Sequence, residues 1–145
     1  MKKKIIFAIF SIGAGILFTN LVLNKENFYA KEEYLVFGFQ TGAFENYDNA
    51  EILSNKLPSS LILKEDNLYK VYVALYKDID LVNKMLVYFE NNDINIYLKS
   101  ISVSKSFYNN IEKLEEIILN TEESNVYHKI NQSILDLYLE SIDNE

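Results

Sequence analysis

The sequence predicts an α+β domain of βαββαβ order: a split arrangement with a four-stranded antiparallel sheet and two helices on one face, preceded by one apolar span and followed by an acidic helical tail. Three observations predict it. One uncharged apolar run of 19 residues, Ile5 to Leu23, stands near the start. Between Tyr34 and Val103, two segments of helical period alternate with four β-like runs. After residue 103, two more apolar stripes recur at helical spacing. The chain therefore divides into a basic segment at 1–4, a membrane span at 5–23, a linker at 24–33, a domain at 34–103 and a tail at 104–145.

Lys2, Lys3 and Lys4 precede the apolar run. At 1.5 Å per residue that run spans roughly 28 Å, close to the ~30 Å hydrocarbon thickness of a bilayer. The lysines are expected to stay cytoplasmic, which places everything after Leu23 on the outer side. A cleaved signal peptide would end in a small-x-small site, and the nearest candidate, Phe28-Tyr29-Ala30, has a bulky residue where a small one is wanted. An uncleaved anchor is the expectation.

Tyr34 to Thr41, aromatic and β-branched and ending at Gly42, reads as the first strand. Asn46 is placed to cap a helix with Asp48 in its first turn, Ala50, Leu53 and Leu57 fall on one face, and Pro58 ends it. Ser60 to Lys64 and Leu68 to Tyr76 are strands joined by Glu65-Asp66-Asn67, a link of hairpin length. Asp78 caps a second helix carrying Val82, Met85, Leu86 and Phe89 at i, i+3, i+4, i+7, with Asn91-Asn92-Asp93 at its exit. Ile94 to Val103 alternates Ile94, Ile96 and Leu98 with Asn95, Tyr97 and Lys99, the pattern of a strand with one covered face.

Composition removes whole classes of function. The chain has 14 basic residues, all lysine, against 21 acids, for a net charge of −7, which argues against nucleic acid as a partner. With no cysteine and one histidine, His128, thiolate chemistry, disulfides and the usual zinc sites are out of reach, so no metal or cofactor is expected. Residues 34–103 hold six lysines and nine acids, and residues 104–145 three lysines and nine acids, so the tail alone carries −6. That charge disfavours an anionic membrane surface as the tail's partner.

Gln40-Thr41-Gly42-Ala43-Phe44, followed by Asn49-Ala50 and Leu53, resembles the SPOR domain family, whose first strand ends Gln-x-Gly-x-Phe and whose first helix carries Asn-Ala-x-x-Leu. Tyr69-Lys70-Val71-Tyr72-Val73-Ala74-Leu75-Tyr76 is similar to the family's Tyr-x-Val-x-Val-Gly-Pro-Phe strand, with Ala74 and Leu75 standing in place of the Gly-Pro. The resemblance covers residues 34–103 and not the tail. It implies an RNA-recognition-like fold that binds peptidoglycan glycan strands stripped of their stem peptides, as a targeting module in division or sporulation outside the cytoplasmic membrane. It also implies that the open sheet face holds the ligand and that Gln40 contributes to it.

Alternation gives that face its residues. If Phe37, Phe39 and Thr41 pack toward the helices, Tyr34, Val36, Gly38 and Gln40 face the open side, with Lys70, Tyr72 and Ala74 from the third strand and Asn95, Tyr97 and Lys99 from the fourth. The expected glycan site is Gln40, Lys70, Tyr72, Tyr97 and Lys99. Tyrosine offers a flat apolar ring with a hydroxyl, an amide donates and accepts in one place, and the lysines oppose the carboxylates of muramic acid. The same residues also suit an ordinary solvated sheet face. Gly42, Phe44 and Ala50 are expected to be structural, the glycine serving a tight strand-to-helix turn.

In the tail, Phe107, Ile111, Leu114 and Ile118 form one stripe, and Val126, Ile130, Ile134, Leu137 and Tyr138 another, predicting two amphipathic helices. They are read as packing within the chain, the alternative being self-association or a protein partner. An enzyme is not expected: a glycosidase needs two carboxyls about 5–9.5 Å apart across a cleft, and no acid falls on the face just described. A second function stands beside glycan binding, that of a bitopic envelope adaptor binding another division or sporulation protein without affinity for glycan.

Overall fold

The computed structural model describes residues 33–143; the predicted span at 5–23 and nearly all of the linker lie outside them. Among the described residues no helix is long and apolar enough to cross a membrane. The elements are β1 (Tyr34–Phe44), α1 (Tyr47–Ser54), β2 (Leu61–Glu65), β3 (Leu68–Tyr76), α2 (Ile79–Asn91), β4 (Tyr97–Val103), α3 (Lys105–Asn110), α4 (Glu112–Leu119) and α5 (Ser124–Asp143). The sheet order is β2-β3-β1-β4, antiparallel throughout.

Local chemistry sets most boundaries. The Asn46 side chain accepts from the Asp48 amide at 2.8 Å, and Asp78 accepts from Leu81 at 2.9 Å, so each helix starts where a cap satisfies an otherwise unpaired donor. Glu65 pairs with Leu68, which leaves Asp66-Asn67 as a two-residue turn. Both residues are left-handed, with φ of 51° and 64°, the geometry that matches the twist of a hairpin and that Asn and Asp tolerate.

α1 and α2 share one sheet face. A Cβ built on Gly42 would lie 2.8 Å from Leu53 Cδ2 of α1 and 2.7 Å from Phe44 Cε2, and the Phe39 ring sits 5.8 Å from that of Phe89 on α2. The predicted role of Gly42 is thereby corrected. β1 runs on to Phe44 and no glycine among the described residues has positive φ, so Gly42 serves close approach between strand and helix rather than a turn. Ala50 of α1 is fully buried and Phe44 is half-buried.

The tail is three helices where two were predicted, because the first stripe breaks at Ile111, which ends α3 and begins α4. Its apolar stripes join the core: Phe107, Ile111, Ile118, Tyr127, Ile134, Leu135 and Tyr138 belong to the same buried cluster as Val36, Phe39 and Tyr72. At about 1.5–3 kcal/mol for each fully buried large aliphatic side chain, the tail is part of the fold and not an appendage.

α5 takes a route that decides how much of the second sheet face stays open. It starts beside α2, where the rings of Tyr88 and Tyr127 stand 5.0 Å apart and the Tyr88 hydroxyl meets His128 Nε2 at 2.8 Å. It then passes the part of β3, Val73 to Tyr76, that β2 is too short to pair. There the Tyr76 hydroxyl donates to Asn131 Oδ1, and Gln132 Oε1 accepts from the Ser60 amide at 3.1 Å. Further along, Tyr138 stacks 5.4 Å from Phe107 of α3 and lies close enough to Tyr72 to act on its phenol.

A buried acid ties α4 to the start of α2. Glu115, 2% exposed, accepts from the amides of Lys77 at 2.6 Å and Asp78 at 3.2 Å. Burial is the main influence on its carboxyl and raises its pKa above the ordinary value near 4.5, against the two amides that lower it. An acid with a raised folded pKa holds its proton more tightly folded than unfolded. Its contribution to stability is full below the unfolded value and is lost as pH rises through the folded one. Glu115→Gln, uncharged at every pH, is expected to make stability fall less as pH rises above the ordinary carboxylate value near 4.5. Urea melts across that rise check it, and parallel curves for the two proteins would show that the carboxyl is not the source.

Candidate functional site

The strand register brings the sequence-named residues onto one face. Gln40 lies opposite Tyr72 on β3 and opposite Tyr97 on β4, Gly38 opposite Lys99, and Val36 opposite Ile101. Lys70 lies opposite Leu63, two positions from the Leu61–Tyr72 pair, and so falls on the same side. Two register shifts make this possible, one at Val73 on β3 and one at Thr41 on β1. The first moves Ala74 to the helix side with Phe39, so Ala74 leaves the face on which alternation had placed it.

The face is divided by exposure. Tyr97 is 62% exposed and Lys99 is exposed as well, whereas Tyr72 is 2% exposed and Gln40 7%. The expectation that Gln40 and Tyr72 stand open to solvent is therefore corrected, and so is that of a face left wholly free. Because α1 and α2 lie on the opposite side, the burial of Val36, Tyr72 and Leu75 on this one is the work of α3 and α5. The ring of Tyr108 on α3 stands 5.3 Å from Tyr34 and covers that end.

Lys70 and Tyr72 already have partners. Lys70 Nζ is 2.9 Å from Glu65 Oε2 and 3.2 Å from Asp66 Oδ2, and the Tyr72 hydroxyl donates to Glu65 Oε2 at 3.2 Å. Burial, reinforced by the neighbouring Glu65 carboxylate, pushes the Tyr72 phenol far above its usual range and keeps it a neutral donor. These two residues and Glu65 form a structural cluster at the hairpin end. Sequence reasoning misses Glu65, which the strand pattern assigns to the link.

Gln40 is different. Its Oε1 is buried and has no hydrogen-bond partner. A buried acceptor left unpaired costs about 1–3 kcal/mol, so this carboxamide edge is chemically unsatisfied where it stands, with the exposed Tyr97 ring across from it. Gly38 is held bare by its neighbours, since a Cβ there would fall 2.4 Å from Ile101 Cδ1 and 3.1 Å from Tyr72 Cε1. Ile101 thus folds over β1 and floors the strip between Lys99 and Val36. Among the described residues no cluster of three or more His, Cys, Asp or Glu is placed to hold a metal.

The fold and face together define a small α+β module with a split βαβ sheet, whose face away from α1 and α2 is partly closed by its own tail. No protein-family model matches the chain, and no curated protein matches it. Among solved structures it is similar to the solution structure of the peptidoglycan binding domain of the B. subtilis cell wall lytic enzyme CwlC, with 23% identity over 55% of this chain and 100% of that one and a TM-score of 0.43. At that TM-score the likeness carries no weight for function, which is read from this chain's own residues.

Proposed function

We propose that this protein is a non-enzymatic binder of peptidoglycan glycan strands freed of stem peptides, held at the outer side of a bacterial membrane by Ile5–Leu23 and acting in division or sporulation. The observation that carries it is the strip where Tyr97 and Lys99 stand exposed beside the unpaired Gln40 Oε1. A ring, a cation and an amide acceptor in one row suit a sugar face, a lactyl carboxylate and a sugar or N-acetyl donor. The ordered SPOR-like motifs at Gln40-Thr41-Gly42-Ala43-Phe44 and Tyr69–Tyr76 support the same reading. The adaptor alternative draws on the tail stripes, and those are taken up inside the core.

The test is co-sedimentation of the full chain, in mild detergent, with native and amidase-treated sacculi. More protein is expected to pellet with the treated wall; equal or absent pelleting in both would refute the proposal. The anchor is checked in the same preparation, since a mature product that begins near Lys31 would show that the segment is removed.

A further inference from the structure

Three features meet on the proposed ligand face, and only the exposure of Tyr97 and Lys99 was visible in the strand pattern. The β3 half is sealed: Tyr72 and Leu75 are almost fully buried, and Tyr72 and Lys70 are bound to Glu65. The β4 half stays open along Tyr97 and Lys99, with Ile101 beside them half-buried over Gly38. The boundary between the halves is Gln40, 7% exposed, whose Oε1 has no partner on the protein.

Two arrangements are compatible with a ligand on such a face. The tail either swings away to uncover β3 or stays, so that the ligand uses what remains. The first requires α5 to surrender Ile134, Leu135 and Tyr138, each at most 7% exposed, together with the Tyr76–Asn131 and Ser60–Gln132 hydrogen bonds. Losing that much buried apolar surface is comparable to unfolding a domain of this size, and sugar contacts do not return it. The second keeps the tail in place and needs only side-chain movement around Gln40, whose Oε1, shut from solvent, is the buried side-chain acceptor left without a partner among the described residues.

We infer that the tail is a fixed wall across the face rather than a lid over it, so that a glycan strand lies along β4, on Tyr97, Lys99 and the Oε1 edge of Gln40, and does not cross β3. This rests on the glycan-binding proposal above. It makes the tail a specificity element: it narrows a four-stranded platform to a strip one strand wide. Side chains on one face of a strand repeat at about 7 Å, so Tyr97, Lys99 and Ile101 mark out a row of roughly 13 Å for the ligand.

The chain has no cysteine, so Ser60→Cys with Gln132→Cys gives a single pair of thiols that a short bis-maleimide bridges, fastening α5 to the start of β2. The full chain, the bridged and unbridged double variant, Lys70→Ala, Tyr97→Ala and Lys99→Ala are titrated against amidase-treated sacculi, with circular-dichroism melts reporting the fold. Tyr97→Ala and Lys99→Ala are each expected to weaken binding about tenfold, the loss of one good contact, with melts near that of the parent. Bridging and Lys70→Ala are expected to leave binding within about twofold. Loss of binding on bridging, with the unbridged variant active, overturns the wall and makes α5 a lid. A tenfold loss in Lys70→Ala with Tyr97→Ala unaffected places the ligand on β3 and overturns it equally. A parent chain that does not pellet removes the glycan proposal itself, and this inference with it.

Discussion

Leu135→Ala is expected to destabilise the whole domain by about 2–5 kcal/mol, in one transition and not two. Leu135 is fully buried on α5 within the cluster that also holds Val36, Val73 and Leu75 of the sheet. Truncating it removes methyl groups from contact and leaves a cavity, because neighbours held by the sheet relax only in part. A tail that merely rested on the domain would respond otherwise, melting first while the sheet stayed intact. Far-ultraviolet and tyrosine-fluorescence melts followed together decide between these. Separate midpoints, or a loss under about 1 kcal/mol, would refute the single-core description.

Gly38→Val carries the second large effect, a destabilisation of about 1–3 kcal/mol by overpacking. The new Cβ alone would sit 2.4 Å from Ile101 Cδ1, and the branched methyls would press on the Tyr72 ring, itself confined between β2, β1 and the tail. Ile101, only partly buried, has room to turn outward, whereas Tyr72 is fixed through its hydroxyl by Glu65. A melt unchanged within error would mean that the close packing around Gly38 is not required.

The parts of the fold that were legible in the sequence are those decided within a few residues. Asn46 and Asp78 announced their helices because a capping side chain acts two or three positions away, and β3 was bounded correctly because Asp66-Asn67 and Asp78 punctuate both ends. β4 begins at Tyr97, not Ile94, for a reason no local pattern holds: its partner strand β1 offers pairing only as far as Gln40, where the register shift at Thr41 begins. The candidate site divides in the same way. Alternation placed Tyr97 and Lys99 correctly because β4 is regular, and it placed Ala74 on the wrong face because β3 slips at Val73. The stripes on the tail announced that it packs against something; which surface it chose depended on the shortness of β2, a property of the sheet and not of the tail.

That shortness also sets the order in which the domain is completed. The hydrogen bond between Tyr76 and Asn131 joins residues 55 apart, and the sheet face is closed only when Tyr138 has been made. A chain synthesised no further than β4 holds all four strands and both covering helices, yet leaves Val36, Tyr72 and Leu75 bare to water and the unpaired flank of β3 open to any other extended chain. The segment that narrows the mature surface is thus also the one that ends a hazardous interval in biogenesis, acting as a built-in shield for its own sheet.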